Sequence, residues 1–241
     1  MITTTLGNIN IGHHLGRKIS LLSGNQIFAY AGDPGQAARA SNLAAINANV
    51  IAMQPSALGY PITLANLIHT DFKQTGISAS VNLNVALAFP FNGVQHCCIF
   101  EGAMQPRLLD GHHFFAALGS GALAAYPFLR FLIDTFSHSK QPSVKDAILL
   151  AYWAVQHTID TSAGGVIKPI CVFVAGGDGV GSHVVRELND DDKQEHAQAV
   201  ESATNALRKW RDETFIQTPG DVSGASSAPA PGAGMPSPPA P

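Results

Sequence analysis

The chain has 241 residues, of which 46% are hydrophobic and 13% are charged, and its formal net charge is -3. This length is enough for one well-buried domain, and the charge balance gives no electrostatic basis for a nucleic-acid partner. Because about a quarter of the residues are charged in an average soluble domain, the low charge content favours burial of part of the surface against other subunits.

The cysteines and the apolar runs indicate where the protein resides. Cys97, Cys98 and Cys171 make an odd number without a CxxC pair, and adjacent cysteines fit disulfide geometry poorly. We therefore expect reduced thiols and a cytoplasmic protein. No apolar run reaches the length that spans a membrane, and the first residues lack the apolar core of a signal peptide, so no membrane partner is expected.

The first half of the chain predicts elements in pairs. Residues 1–15 are polar and rich in Gly and Asn, and they predict no regular element. Two short strands follow around the turn residues 23–25. Apolar residues at helical spacing then predict helices over 35–53 and 62–76.

The second half continues with a group of strands, a pair of helices, two more strands and a final helix. The predicted ranges are 81–89, 94–102 and about 112–118 for the strands, 122–136 and 143–160 for the helices, strands on either side of 176–181, and 189–210 for the last helix. The order is ββ-αα-βββ-αα-ββ-α. Helix pairs between antiparallel strand groups argue against a doubly wound parallel sheet and fit two packed sheets with helices on both outer faces.

Composition divides the chain into three parts. Residues 1–15 form an irregular N-terminal segment, 16–215 form one domain, and 216–241 are rich in Pro, Ala, Gly and Ser and almost uncharged. Such a composition cannot bury enough apolar surface to fold. We therefore predict a disordered C-terminal tail.

Two glycine-rich turns raise the question of phosphate binding. The turn 176–181 is followed by a Val-rich alternating segment rather than a helix, so it predicts a hairpin. The turn 32–35 lacks the Gly-Lys-Ser/Thr ending of a phosphate loop, and Asp33 would repel a phosphate. A phosphate or small-molecule module at Gly32 is the weakest of the functional hypotheses.

The remaining candidate motifs are the histidine clusters and Ser120. His13-His14, His96 and His112-His113 lack the spacing of metal ligands, so we expect no metal and no other cofactor. No G-x-S-x-G elbow is present. Ser120, in the string GSG, precedes a predicted helix and by itself indicates an N-cap.

Four stretches in order carry a resemblance, namely GRKISLL, FAYAGDPGQAARA, ALGSGALAAYPFL and TIDTSAGGVIKPICVFV. Together they resemble the β-type proteasome subunits and their bacterial relatives, the HslV-like Ntn hydrolases, over about residues 16–190. The resemblance implies an α+β fold built as a four-layer αββα sandwich. It also implies threonine-type hydrolysis of peptide or unfolded protein substrates in a homo-oligomeric ring, with any ATPase partner undetermined.

The resemblance implies roles for four positions. Lys18 matches the catalytic lysine, whose positive charge favours the deprotonated nucleophile. Ser120 and Asp160 match the serine and the aspartate that support the amine of the N-terminal threonine. The backbone N–H near Ala29 matches the oxyanion donor, and Ala163 stands where the family has a further serine.

The nucleophile itself is not identifiable. In the family, a β-hairpin with the N-terminal threonine and an aspartate precedes the lysine, whereas the 17 residues before Lys18 contain no Asp or Glu, and Thr3, Thr4 and Thr5 lie too close to it. Either the start is assigned too far downstream and the protein is a complete peptidase, or the chain is a shortened, inactive relative. As the chain stands, we expect little or no peptidase activity; the alternative is a non-catalytic ring or scaffold homologue.

Overall fold

The structure, a computed structural model, describes most of the chain. The described residues are 2–6, 9–13, 17–77, 80–137, 140–161, 166–177 and 183–215. Met1–Ala199 and Val200–Pro241 are two units, and the predicted tail 216–241 lies outside the described residues. No helix in the described ranges is long and apolar enough to cross a membrane.

Strands and helices alternate in groups along the described chain. The strands are β1 Ile2–Leu6, β2 Ile9–His13, β3 Ile19–Leu22, β4 Gln26–Gly32, β5 Leu83–Phe91, β6 Val94–Glu101, β7 Gln105–Leu108, β8 Phe173–Gly177 and β9 His183–Glu187. The helices are α1 Pro34–Ile46, α2 Gly59–Gln74, α3 Ala122–Ser137, α4 Val144–Thr161 and α5 Asp190–Phe215, with a 3-10 helix at Ala48–Met53. From β3 onward this is the order that the sequence predicts. The predicted strand over about 112–118 is wrong, since the structure has no strand there and the third strand of that group is β7.

The strands form one larger sheet and two hairpins. The larger sheet is antiparallel, with five strands in the order β3-β4-β5-β6-β7, while β1-β2 and β8-β9 each form a two-stranded sheet. The β8-β9 pairing confirms the hairpin predicted around 176–181. The predicted four-layer αββα sandwich is wrong, because the described strands supply one sheet of that size rather than two. The fold is α+β with an antiparallel sheet and helices.

The N-terminal segment differs from its prediction. Its strands β1 and β2 pair antiparallel, with Ile2 opposite His13 and Leu6 opposite Ile9. The prediction that residues 1–15 form no regular element is therefore wrong for these two strands. The sequence does carry a signal for the β1–β2 hairpin, since runs rich in Ile and Thr flank a Gly-Asn dipeptide, which is typical of a hairpin turn.

One face of the five-stranded sheet packs against α1 and α2. Along β5 every second side chain is buried, as expected for a strand with one face on a core. This face and the helices share one apolar cluster. Its large members are Phe28, Tyr60, Leu64, Ile68, Phe72, Leu83, Val85, Leu87, Phe89, Phe100 and Met104.

The opposite face of the sheet has small side chains together with the buried Ile27 and Ile99. Ala29 and Ala31 of β4 stand beside Ala86 and Ala88 of β5 and Cys97 of β6. Strand β8 lies close to β4 and β6. Both of these strands are hydrogen-bonded on each side, so β8 approaches them over this face, where small side chains permit a close approach.

A buried polar network holds the β3–β4 turn against the helices. Gln26 is fully buried; its Oε1 accepts a hydrogen bond from Tyr60 Oη at 2.9 Å, and its Nε2 donates to Ser23 O at 3.1 Å. Ser23 Oγ in turn donates to Ala45 O at 2.7 Å. Because burial of an unpaired polar group is costly, these bonds fix the turn relative to α1 and α2.

We predict that Tyr60→Phe destabilises the fold by about 1–3 kcal/mol, because Gln26 Oε1 then loses its donor without regaining water. Urea unfolding measures the decrease in the free energy of unfolding. The matched control is Tyr152→Phe, since the hydroxyl of Tyr152 has no hydrogen bond in the described part of the chain. Equal losses in the two variants would contradict the role given to the network.

The Tyr60 hydroxyl should also make the free energy of unfolding depend on pH. Burial raises the pKa of Tyr60 from 10.0 to about 12, so the unfolded chain releases this proton at a lower pH than the folded chain. The free energy of unfolding should therefore fall between pH 10 and pH 12, by up to about 2–3 kcal/mol. Denaturant unfolding across this range should show a smaller fall in Tyr60→Phe, and an identical fall in both proteins would be inconsistent with this origin.

Candidate functional site

The glycine turn after β4 is a structural corner. Gly32 has φ +112°, and a Cβ there would lie 2.1 Å from Asn82 O, so only glycine fits. Asp33 N donates to the same Asn82 O at 2.7 Å, and the Asp33 side chain caps α1 by accepting from Gln36 N at 2.8 Å. These backbone N–H groups are used within the fold, joining β4 to β5 and to α1.

Lys18 and Ala29 lie together at the β3–β4 pair. Tyr30 N donates to Lys18 O at 2.9 Å, and Ile19 is opposite Ala29. Successive N–H groups of a strand point to opposite sides, so the N–H of Ala29 points toward β5, where Ala86 is its partner. The oxyanion role of Ala29 stays a prediction.

The Lys18 side chain is exposed. Among the side chains that the structure describes, none forms an ion pair or a hydrogen bond with its Nζ. The ammonium group is therefore accessible at the edge of β3, and its catalytic role stays a prediction.

The loop that carries Ser120 lies against β4. Gly119 has φ +91°, and a Cβ at this position would lie 3.0 Å from Ala31 Cβ. Ala31 and Ala29 are two residues apart on one strand and thus share a face. The structure therefore brings the Ser120 loop to the strand that pairs with Lys18. Ser120 is exposed, and its hydroxyl has no hydrogen bond with any described residue.

The same loop is in close contact with α4. A Cβ on Gly121 would lie 2.7 Å from Thr158 Cγ2 and 2.8 Å from Val166 Cγ2. Thr158 is itself buried, and its hydroxyl donates to Ala154 O at 2.7 Å. The two glycines on either side of Ser120 thus permit the loop to lie between β4 and α4.

Asp160 lies on the exposed side of α4. Its Oδ1 accepts a hydrogen bond from Gln156 Nε2 at 2.7 Å. Since two residues correspond to a rotation of about 200° on a helix, Asp160 points away from the side on which Thr158 meets Gly121. The structure does not join Asp160 to Ser120, and its network role stays a prediction. Ala163 lies outside the described residues.

Arg17 is a contact residue that the sequence did not single out. It forms an ion pair with Glu187 of β9, and its guanidinium lies 5.5 Å from the centre of the Phe173 ring on β8. The hydrogen bond with Glu187 raises the pKa of Arg17. Exposed pairs contribute little stability, but this one links the residue before Lys18 to the β8–β9 hairpin.

A separate open groove lies where the start of α4, β9 and α5 meet, with Leu188 in its lining. Its charges are paired, with Arg186 2.9 Å from Asp192 and Lys145 3.9 Å from Glu195. None of the predicted site residues lines it. Within the described ranges, no three or more His, Cys, Asp or Glu side chains are grouped to hold a metal ion.

Comparison with known proteins gives a similarity of fold. No protein-family model matches the chain, and no curated protein matches its sequence. A solved structure of the Anbu (Gly-1) mutant from Hyphomicrobium sp. strain MC1 matches with a TM-score of 0.62 and 14% identity, over 88% of this chain and 89% of that chain. The chain has a distant Anbu-like fold.

This similarity corrects the family assignment. Anbu is an HslV-like, proteasome-related protein, and the likeness to it is one of overall fold. An identity of 14% supports no more than that. The assignment of the chain to the β-type proteasome and HslV family, as a member without the catalytic hairpin, is therefore wrong as a statement of membership.

We predict that Gly121→Ala costs about 1–3 kcal/mol, the usual range for overpacking, because the new methyl group would overlap Thr158 and Val166. Thermal or urea unfolding measures the loss. Gly111→Ala is the control, since nothing lies within 4 Å of a Cβ at Gly111. A Gly121→Ala protein as stable as this control would show that the loop does not lie against α4.

Proposed function

We propose that the chain is a proteasome-like protein of the threonine-type peptidase class, located in the cytoplasm, which binds peptide or unfolded protein and hydrolyses it little or not at all as it stands. The distant HslV-like fold supports the class. The observation that carries the proposal is the approach of Gly119 to Ala31, at 3.0 Å for the Cβ position. This contact supports the proposal because the loop that carries Ser120 then lies against β4, the strand that pairs with Lys18.

The chemistry of these groups fits part of what such a peptidase needs. A lysine ammonium next to a nucleophile favours the deprotonated form of that nucleophile, and a free serine hydroxyl can orient an amine by hydrogen bonding. The acidic part of the network is not assembled in the described side chains, since Asp160 is bonded to Gln156. We therefore expect the chain to retain binding and to have weak or no catalysis.

A second candidate is a non-catalytic ring or scaffold protein. It is favoured by the exposure of large apolar side chains, with Leu123 91% and Phe131 57% accessible. Such groups are typical of surfaces that bind other subunits. In this case the protein would assemble with copies of itself without binding peptide.

The two candidates differ in a binding and turnover assay. A labelled, reduced and carboxymethylated protein serves as the unfolded probe for binding, and fluorogenic peptides report hydrolysis. We predict saturable binding of the probe. Turnover in the wild type should lie within about twofold of turnover in Lys18→Ala, which corresponds to a difference below about 0.5 kcal/mol in the activation free energy. Lys140→Ala is the control for loss of one exposed lysine.

Each other result has a definite meaning. A loss of turnover of about tenfold or more in Lys18→Ala alone, about 1.4 kcal/mol in the barrier, would show an active peptidase that depends on Lys18. Turnover well above the protein-free rate and equal in both proteins would refute the site assignment. Assembly without probe binding would favour the scaffold candidate.

A further inference from the structure

The C-terminal half of helix α5 exposes an apolar stripe. Val200 is the buried residue of this helix, and from Val200 on the helix belongs to the second unit. Leu207, Trp210 and Phe215 are 58%, 57% and 68% accessible. At about 100° per residue they lie within an arc of about 140°, and the rings of Trp210 and Phe215 are 5.8 Å apart. These three residues form one continuous surface, the α5 stripe.

The exposure of α5 continues around the helix. Each residue from 201 to 215 is at least partly exposed. Helices in proteins gain most of their stability from the packing of an apolar face rather than from the intrinsic preference of their residues. Within the described ranges the α5 stripe is left uncovered, so a segment that covers it would stabilise this half of the helix.

The size of the α5 stripe indicates what kind of partner can cover it. With about 150–250 Å² for a large side chain, its three members expose roughly 350 Å² together. A folded protein partner buries about 800 Å² on each side of a standard interface, so the stripe is too small for one. Its length is about 12 Å at 1.5 Å per residue, which four or five residues in the polyproline II conformation span at about 3.1 Å each. The stripe therefore fits one extended segment.

The sequence after α5 supplies such a segment. Residues 229–241, PAPGAGMPSPPAP, contain six prolines and no charged residue. Proline-rich sequences favour polyproline II, and in this conformation they bind aromatic surfaces. Pro219-Gly220, shortly after the helix, is a turn signal. The eight residues 221–228, DVSGASSA, follow it, and a Gly/Ser-rich stretch of this length has an average end-to-end distance of about 16 Å. The proline-rich segment can therefore reach any part of the α5 stripe.

We propose that the proline-rich segment 229–241 binds the α5 stripe of its own chain, with proline rings packed against the Trp210 indole. The composition of the segment gives it no core of its own, and the stripe supplies the apolar surface that it lacks. A short connection keeps the effective concentration in about the millimolar range, which favours the segment of the same chain over that of another copy. The contact does not depend on the proposed peptidase class, because it uses none of the predicted site residues.

The first test measures the access of solvent to Trp210 in the full chain. Fluorine NMR of fluorotryptophan-labelled protein gives one resonance for each of the two tryptophans, which Trp210→Phe assigns. The change of each resonance between light and heavy water, its isotope shift, reports exposure of that ring. The variant P229S/P231S/P236S/P238S/P239S/P241S should increase the isotope shift of Trp210 and leave that of Trp153, the internal reference for the folded protein, unchanged.

The control S223A/S226A/S227A changes the same C-terminal region without touching a proline and should match the wild type. Equal isotope shifts of Trp210 in the wild type and the proline variant would overturn the proposal. An isotope shift of Trp210 that decreases as the protein concentration rises would also overturn it, because the stripe would then be covered by a second copy.

The second test changes the stripe instead of the segment. Leu207→Asp places a charge in the α5 stripe, whereas Asn205→Asp places the same charge on the opposite side of the helix. Since the effects of groups in contact are not additive, the six proline substitutions should leave the isotope shift of Trp210 unchanged in the Leu207→Asp protein. In the Asn205→Asp protein they should increase it as they do in the wild type. An equal increase in both proteins would show that the segment does not bind the stripe.

Discussion

The close approach of Gly119 to Ala31 is the contact on which the proposed site depends. With a Cβ position 3.0 Å from the neighbouring methyl carbon and φ +91°, Gly119 occupies a place that a larger residue would fill only by displacing the loop. The contact brings the segment before α3 against β4. Tyr30 N of β4 also donates a hydrogen bond to Lys18 O at 2.9 Å, so the strand that meets the loop also pairs with the backbone of Lys18.

Strand β4 also organises the rest of the fold. At its start, the buried Gln26 ties the sheet to Tyr60 of α2, and at its end the Gly32 turn ties it to Asn82 and to α1. Between these fixed ends the strand has Phe28 toward the helices, and Ile27, Ala29 and Ala31 toward the other face. Because side chains alternate between the two faces of a strand, one face of β4 packs into the apolar core and the other is the face that other segments approach closely.

The order of elements was predictable from the sequence, and their association was not. Hydrophobic spacing within a segment indicates strand or helix, and it predicted the pairs from β3 onward and the β8–β9 hairpin. It does not state how many strands join one sheet, so the four-layer sandwich was wrong. For the site, the resemblance gave roles to Lys18 and Ser120; the structure brings the Ser120 loop to β4, and both roles stay predictions. The direction in which Asp160 points depends on the rotation of α4 about its axis, which the sequence around Asp160 does not indicate. The Arg17–Glu187 ion pair joins residues 170 positions apart, so no local sequence pattern predicts it.

The most direct measurement of the central claim is a nuclear Overhauser effect between the Ala31 methyl protons and the Gly119 Hα protons in alanine-methyl-labelled protein. The effect between the Ala29 and Ala86 methyl groups, which face each other across β4 and β5, is the internal reference. The account predicts a strong Ala31–Gly119 effect beside this reference. A clear Ala29–Ala86 effect without any Ala31–Gly119 effect would contradict it, because the Ser120 loop would then not lie on the strand that pairs with Lys18.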